Sequence, residues 1–308
     1  MLGPVLLAAA RSDTLRRVVS NTSLTRPVVE RFVAGESLSD ALAAVRALTR
    51  RGLCVTLDHL GEHVTDPREA KRSRDAYLAL ADALAREGLG TRAELSLKLS
   101  AFGQALDGGD DLAYENVLPV VEAAAAAGTT VTLDMEDHTT ADSTLAVLAR
   151  LRERFPQTGA VLQSYLYRTE QDCRTLAASG ARVRLVKGAY REPAAVARQD
   201  RHETDLAYVR CLHVLMAGQG YPMIATHDPR LVAIAESLAA RYGRKPGSYE
   251  FQMLYGIRAA EQRRLADRGH RVRVYVPYGT DWYAYFMRRL AERPANLAFF
   301  VRSLVSRG

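Results

Sequence analysis

The sequence has few cysteines and no long hydrophobic run. Its three cysteines, Cys54, Cys173 and Cys211, are scattered without the close pairing of a thiolate metal site, and they favour a reducing, cytoplasmic compartment. No apolar run approaches the roughly 18 residues that a membrane-spanning helix needs, which excludes an integral membrane protein. Residues 1–10 carry no basic stretch before their short apolar segment, so we expect a packed helix there and not a signal peptide.

The signatures of nucleotide and nucleic-acid binding are also missing. Neither GxGxxG nor GxxxxGK[ST] occurs, and an open nucleotide-binding sheet usually carries one of them at its first strand–helix turn. Zinc-finger spacing and interleaved aromatic and basic residues are absent, so we expect no nucleic-acid partner. The formal charge of +7 comes from arginines and lysines spread over many predicted helices, which indicates a solvated surface.

What the sequence does have is alternation. The composition is globular, with 48% hydrophobic and 25% charged residues. Eight short runs rich in β-branched residues are separated by stretches with helical period, at 53–60, 94–100, 131–136, 160–165, 183–190, 222–228, 249–256 and 272–279. Near-continuous apolar strands between helices are typical of a parallel sheet covered by helices. We therefore predict an α/β fold, a (β/α)8 TIM-type barrel over residues 51–308 with an N-terminal helical extension over 1–50.

In such a barrel the active site lies at the carboxyl ends of the strands. Nearly every predicted strand brings a polar side chain there, where a filled barrel would carry Val or Ile. The candidates are Asp58, His59, Lys98, Asp134, Glu136, Gln163, Arg184, Lys187, the run 226–228, Gln252 and Tyr275. Any one of them could be structural, but the whole set predicts a functional barrel mouth.

Two pairs of side chains leave more than one interpretation open. His59 and His63 stand four residues apart and would share a metal only on a helix, whereas Gly61 between them predicts a loop, so we expect no metal. Lys98 and Lys187 lie inside predicted strands. A buried lysine can be a Schiff-base nucleophile or a cation that holds an anionic ligand.

The helix predicted after the last strand carries a cluster of charges on one face. At 100° per residue, Tyr285, Arg288, Arg289 and Glu292 all lie within one side of the helix. If this face looks into the barrel mouth, two guanidinium groups converge on one point, which is how a carboxylate or a phosphate is held.

These segments resemble the proline dehydrogenase family, flavoproteins that oxidise L-proline to Δ1-pyrroline-5-carboxylate. YAYFMRRLAE resembles the family's YxxRRxxE signature. ELSLKLSAFG, LDMED and VLQSY resemble its strands two to four, and RLVKGAY, ATHD, EFQMLYG and RVYVPYGT its strands five to eight, in order. The similarity runs from about residue 50 to 300, and the length is similar to the monofunctional bacterial type.

The resemblance implies a role for each matching residue. Arg288, Arg289 and Lys98 would bind the proline carboxylate, Asp134 would orient these cations, and Tyr275, Tyr285 and Leu254 would wall the ring. Arg184 would hydrogen-bond the flavin near N5, so that Asp134, Arg184 and Tyr275 form the catalytic set. The rest of FAD would be lined by Met135, Gln163, Lys187, Gly188, Ala189, Tyr190, Thr226 and His227, with Arg201 and Thr204 near the phosphates and Glu292 on the flavin side. Arg191 replaces an aromatic residue of the family and leaves the packing of the adenine end open.

The implied reaction is the first step of proline catabolism to glutamate. A hydride would pass from proline C5 to flavin N5, and the electrons to a quinone, with the protein cytoplasmic or peripheral on the inner face of the cell membrane. A separate pyrroline-5-carboxylate dehydrogenase would act downstream. One alternative is a Schiff-base aldolase or lyase with Lys98 or Lys187 as the nucleophile, in which the arginine pair would bind a substrate phosphate. Another is a non-catalytic barrel that binds an acidic metabolite.

Overall fold

Eight parallel strands close into a barrel in chain order. The computed structural model describes residues 29–61 and 64–292, with side chains to residue 289. The strands are β1 Cys54–His59, β2 Ala93–Lys98, β3 Val131–Asp134, β4 Gly159–Gln163, β5 Arg182–Val186, β6 Tyr221–Ala225, β7 Glu250–Leu254 and β8 Val272–Tyr278. The barrel closes between β8 and β1, where Tyr275 lies opposite Thr56. The predicted TIM-type barrel is confirmed.

Helices separate the strands. They are α1 Leu38–Thr49, α2 Pro67–Arg86, α3 Gly109–Ala126, α4 Ala141–Arg154, α5 Thr169–Ala178, α6 Arg201–Ala217, α7 Pro229–Arg241, α8 Ala259–Asp267 and α9 Trp282–Glu292, with short 3-10 helices at Leu99–Phe102 and His138–Thr140. Aspartates cap several of them. Asp66 and Asp228 each accept a first-turn N–H and are followed by a proline, a combination that starts a helix sharply.

The strands alternate between an apolar outer face and a polar inner face. In β2 the fully buried Leu95 and Leu97 pack outward in the main core, whereas Glu94 bonds to groups of β1 and β5 across the barrel. This differs from the near-continuous apolar strands expected from the sequence. The main core is therefore a ring between strands and helices, and the barrel axis is left to polar groups.

The helix after β8 does not belong to that ring. α1 packs against β1 and β8, while α9 enters a second apolar cluster with Val29, Phe32, Leu60 and Ile257. The chain before α1 is tied to the end of β8, since the Ala34 N–H donates to the Pro277 carbonyl at 2.9 Å. α9 and this segment thus lie together near the carboxyl ends of the strands.

Some predictions fall outside what the structure describes. These are the helix expected in residues 1–10, His63 and the side chain of Glu292. The division of the chain at residue 50 stays a prediction. Among the described residues, no helix combines the length and the apolar character that crossing a membrane requires.

Candidate active site

A lysine, a tyrosine and two aspartates meet at the carboxyl ends of β1, β2, β3 and β8. Lys98 Nζ lies 2.9 Å from Asp58 Oδ2 and 3.7 Å from Asp134 Oδ2. The Tyr275 hydroxyl lies 2.7 Å from the same Asp58 oxygen and 2.8 Å from the same Asp134 oxygen. The inward alternation of the four strands brings these side chains together, so the structure places Lys98, Asp134 and Tyr275 in one site, as the sequence predicted for the barrel mouth.

The electrostatics of this cluster keep Tyr275 protonated. Burial raises the pKa of the Tyr275 hydroxyl far above its ordinary value, and the neighbouring Asp134 and Asp58 carboxylates raise it further. Because a phenol carries one proton, Tyr275 donates to one carboxylate at a time. The hydroxyl is therefore a hydrogen-bond donor shared between Asp58 and Asp134.

Arg184 crosses the barrel axis directly beneath this cluster. Nη1 donates to Asp134 Oδ1 and to Ser96 Oγ, both at 2.7 Å. Nε donates to Gln252 Oε1 at 2.6 Å, and Nη2 donates to Glu94 Oε1 at 3.0 Å. The N–H groups of the guanidinium thus donate to side chains inside the barrel. Its expected contact with a flavin stays a prediction, and a direct bond to the ring would require one of these partners to be exchanged.

A second charged layer fills the barrel below Arg184. Glu94 Oε2 accepts from Arg182 at 2.7 Å, and Glu250 Oε1 accepts from Arg273 Nε at 2.6 Å. Burial would raise the pKa of Glu94, but the nearby Arg273, Arg182 and Arg184 lower it to about 2. The surrounding guanidinium groups therefore hold the buried Glu94 carboxylate ionised.

α9, which carries the predicted arginine pair, packs beside the barrel mouth. Tyr285 is buried in the second apolar cluster, and Leu254 and Tyr275 from the ends of β7 and β8 pack against that cluster. The Arg289 guanidinium stacks over the Tyr285 ring at 5.1 Å from its centroid, and Arg288 is half-buried beside it in sequence. The structure thus gathers Leu254, Tyr275 and Tyr285 into one apolar wall, with Arg289 stacked on it.

Gln163 and its surroundings form the next part of the mouth. Gln163 Nε2 donates to the Glu136 carbonyl at 2.7 Å, and its Oε1 lies 3.3 Å from the Tyr165 hydroxyl. Tyr165 also contacts Glu192, which fixes the loop after β3 through the N–H and the ring of His138. Met135 packs in the main core. Gln163 is therefore at a strand end as expected, whereas the side chain of Met135 serves the packing.

The loop after β5 runs over Tyr165. Gly188 has φ +121°, and a Cβ at this position would overlap the Tyr165 ring. Lys187 forms ion pairs with Asp205 at 2.5 Å and Asp228 at 3.5 Å. Ala189 is exposed and Tyr190 half-exposed. Residues 187–190 thus form a half-open loop whose path depends on glycine at 188.

The ends of β6 and β7 are joined by a histidine. His227 Nε2 accepts the Leu254 N–H at 3.0 Å, and this bond fixes the start of the apolar wall. Thr226 Oγ1 is buried and accepts the Asp228 N–H at 3.1 Å. Both residues lie at the mouth where the sequence placed them.

The start of α6 carries charges of both signs. Arg201 is exposed in its first turn, and Thr204 Oγ1 donates to the Asp200 carbonyl at 2.9 Å. Asp200 caps the helix by accepting the Glu203 N–H at 2.9 Å. Two carboxylates therefore stand beside Arg201, and the expected phosphate contact of Arg201 and Thr204 stays a prediction.

The surroundings of Lys98 and Lys187 disfavour a Schiff-base nucleophile. The ion pairs of Lys98 with Asp58 and of Lys187 with Asp205 and Asp228 stabilise ammonium groups, whereas a Schiff-base nucleophile must be neutral. Within 29–61 and 64–292, no group of three or more His, Cys, Asp or Glu side chains is arranged to hold a metal ion. Burial lowers the pKa of His59, and its ring packs edge-on against Tyr278.

The sequence pattern assigns no specific role to several residues of the site. It marks Asp58 only as a strand-end candidate, and no motif marks Glu94, Ser96 or Glu250. Their signal is the alternation of polar and apolar residues in ELSLK and EFQML, which marks a polar inner face. Which of these groups meet depends on the register between neighbouring strands, and the local sequence pattern does not reveal that register.

Known proteins resemble this chain over most of its length. The family model for proline dehydrogenase matches residues 41–302. Proline dehydrogenase 1 of Bacillus subtilis is 39% identical over 307 residues, 100% of both chains. Proline dehydrogenase of Deinococcus radiodurans is 42% identical over 281 residues, 90% of each chain.

A solved structure shares the architecture. The crystal structure of proline utilization A from Bdellovibrio bacteriovorus, inactivated by N-propargylglycine, superimposes with a TM-score of 0.81 at 26% identity. The match covers 87% of this chain, which spans only 33% of that larger protein. With the family model and the full-length relatives, this similarity shows that the chain belongs to the proline dehydrogenase family of oxidoreductases, built on a (β/α)8 barrel.

Proposed function

We propose that this protein oxidises L-proline to Δ1-pyrroline-5-carboxylate with FAD as its cofactor. The observation that carries the proposal is the barrel mouth, where Lys98 and Tyr275 form one polar cluster and Tyr275 also packs against the cluster of Tyr285. A cation beside an apolar wall suits a small ring that bears a carboxylate.

The substrate would be held by charge on one side and by packing on the other. Lys98 and the arginines Arg288 and Arg289 bind its carboxylate, because guanidinium forks match carboxylate geometry. Leu254, Tyr275 and Tyr285 cover the apolar ring carbons. Asp134 supports Lys98 from below at 3.7 Å and is itself held by Arg184 at 2.7 Å. This arrangement fixes the direction in which C5 points.

The residues at the ends of β4 to β6 fit a flavin. Side-chain amide, hydroxyl and imidazole groups of Gln163, Thr226 and His227 occur at the mouth, and such groups complement the carbonyl and N–H edge of an isoalloxazine ring. The half-open loop 187–190 offers backbone groups beside them. The phosphate and adenine half of FAD, with Arg201, Thr204 and Arg191, rests on the family resemblance.

The protein's own contribution to the reaction is orientation and electrostatics. When bound, the flavin supplies the acceptor for the hydride that leaves proline C5. The clamp on the carboxylate holds C5 in one position, and the apolar wall excludes water from it. The positive charge of Arg184 at the barrel axis stabilises negative charge that develops above it. No side chain is required as a nucleophile.

The electrons would pass to a quinone at a membrane surface. The formal charge of +7 is compatible with an anionic surface, and the family resemblance supplies the acceptor class. The pyrroline product would be the substrate of a separate dehydrogenase.

The decisive experiment is an anaerobic titration of the purified flavin-loaded protein. L-Proline should bleach the flavin absorbance without any nicotinamide cofactor, and D-proline should not. Release of the cofactor by heat and its separation from FMN by chromatography should identify FAD. If the flavin site is fully occupied and the flavin stays oxidised in the presence of L-proline, the proposed activity is refuted.

A further inference from the structure

We propose that Asp58 is a positioning residue for substrate binding, acting through Lys98 and Tyr275. This inference rests on the proposed function, because it assumes that Lys98 and Tyr275 face the substrate. Asp58 lies at the inward end of β1 and is 1% exposed. It is therefore behind the groups that would contact a ligand.

One oxygen of Asp58 organises both groups. Oδ2 accepts from Lys98 Nζ at 2.9 Å and from the Tyr275 hydroxyl at 2.7 Å. Oδ1 lies 3.5 Å from the Tyr77 hydroxyl, which itself donates to the Ser96 carbonyl at 2.6 Å. Because the two short contacts share one atom, Asp58 sets the distance between the lysine ammonium and the tyrosine hydroxyl.

Asp134 does not duplicate this function. Its Oδ1 is taken by Arg184 Nη1 at 2.7 Å and Ser96 Oγ at 2.8 Å. Its Oδ2 shares the Tyr275 hydroxyl at 2.8 Å but lies 3.7 Å from Lys98 Nζ, so only Asp58 holds the lysine and the tyrosine together at short distance. The charges thus pair as Arg184 with Asp134 and Lys98 with Asp58. Among the described residues, Asp134 is the next carboxylate to Lys98 after Asp58, so in the absence of Asp58 the ammonium would be drawn toward it and away from its present position.

A positioning role and a purely electrostatic role predict opposite results. Removing a carboxylate leaves the site one charge more positive, and by Coulomb attraction alone an anionic ligand should then bind more tightly. If Asp58 instead positions Lys98 and Tyr275, its removal should weaken binding despite the added positive charge. The sign of the change therefore separates the two roles.

The test uses tetrahydrofuran-2-carboxylate, a proline analogue that lacks the ring nitrogen, and the flavin-loaded protein. Calorimetric titration should show Asp58→Asn binding the analogue at least about tenfold more weakly than the wild type, with KM for L-proline raised more than kcat is lowered. Binding equal to or tighter than that of the wild type would overturn the proposal. Failure of the wild type to bind the analogue would instead refute the proposed function.

A double-mutant cycle shows whether Asp58 acts through Lys98. In a Lys98→Met background only the route through Tyr275 remains, so Asp58→Asn should weaken analogue binding by a smaller factor than in the wild-type background. An equal or larger factor there would contradict an action through Lys98. Asp82→Asn, which also removes one carboxylate but from an exposed pair with Arg86, serves as the matched control, with affinity unchanged.

Folding of the single variant does not limit the test. If Asp58→Asn does not fold, Asp58→Glu keeps the charge and moves the carboxylate by one methylene. Asp58→Glu should still bind the analogue several-fold more weakly, and wild-type affinity in this variant would overturn the proposal.

Discussion

Arg184 Nη1 lies 2.7 Å from Asp134 Oδ1, so a cation from β5 and a carboxylate from β3 meet on the barrel axis directly under the candidate active site. The same nitrogen donates to Ser96, and Nη2 donates to Glu94. Arg184 consequently links the floor of the substrate site to the charged layer below, and it should influence both stability and reaction rate.

Arg184→Ala should reduce both the stability of the protein and the rate of flavin reduction. It leaves Glu94 and Asp134 buried without this partner, which should cost about 3–5 kcal/mol in the free energy of unfolding. At saturating L-proline the rate of flavin reduction should fall, while affinity for the analogue changes less. Arg184→Lys should recover only part of either loss.

Urea denaturation and stopped-flow absorbance measure these effects. Arg174→Ala, which removes an exposed pair with Glu170 at 2.6 Å, is the control and should change stability by less than about 1 kcal/mol. Unchanged flavin reduction in Arg184→Ala would contradict the role assigned to this residue.

Arg288→Met and Arg289→Met should each retain a full complement of flavin and lose affinity for carboxylates. A hydrogen bond to a charged group contributes about 1.5–3 kcal/mol, so the dissociation constant of tetrahydrofuran-2-carboxylate should rise by roughly ten- to 150-fold. Lysine at either position should restore binding only partly. Arg263→Met, on the exposed face of α8, is the control, and normal binding in both α9 variants would refute the carboxylate clamp.

Glu94 should make the protein sensitive to acid. Its folded-state pKa of about 2 lies below the ordinary value of 4.5, so its contribution to stability is complete above pH 4.5 and is lost as the pH falls toward 2. In Glu94→Gln the free energy of unfolding should be lower at pH 7 and depend less on pH in this window.

Chemical denaturation at a series of pH values checks the Glu94 prediction. Glu153→Gln, at an exposed position, should leave the pH dependence of the free energy of unfolding as in the wild type. A Glu94→Gln protein with the full acid slope would show that other carboxylates cause it.

Gly188→Ala should loosen the cofactor loop. Alanine is strained at φ +121° and its Cβ would overlap the Tyr165 ring, so the loop 187–190 must move. We expect lower flavin content after gel filtration and a lower melting temperature. Gly180→Ala is the matched control, because Gly180 has φ +68° with open space around it; it should cost about 1–2 kcal/mol and keep its flavin.

The sequence pattern predicts the fold correctly but does not predict where each strand ends. All eight strands lie where the runs of β-branched residues placed them, and the barrel order follows. The runs at 183–190 and 249–256 extend past the observed ends at Val186 and Leu254. Each of these loop segments carries a tyrosine, Tyr190 or Tyr255, which favours strands, so composition does not mark where inter-strand pairing stops.

The sequence predicts which residues meet in the candidate site but not which of them bond to one another. It places Lys98, Asp134 and Tyr275 at one mouth because the carboxyl ends of the strands converge there. The assignment of Asp58 to Lys98 and of Asp134 to Arg184 depends on which strands are neighbours and on side-chain reach across the axis. The position of α9 over the mouth likewise depends on its packing against the segment 29–36, which no local pattern encodes.

The polar interior of the barrel constrains how this protein can be engineered. Its charged groups form complementary partnerships across strands distant in sequence, so a single substitution along the axis orphans a partner elsewhere. A random library with one change per clone should yield few folded variants at these positions. Libraries that exchange an acid and its basic partner together should sample the interior productively, whereas single changes suit the outer ring of aliphatic side chains.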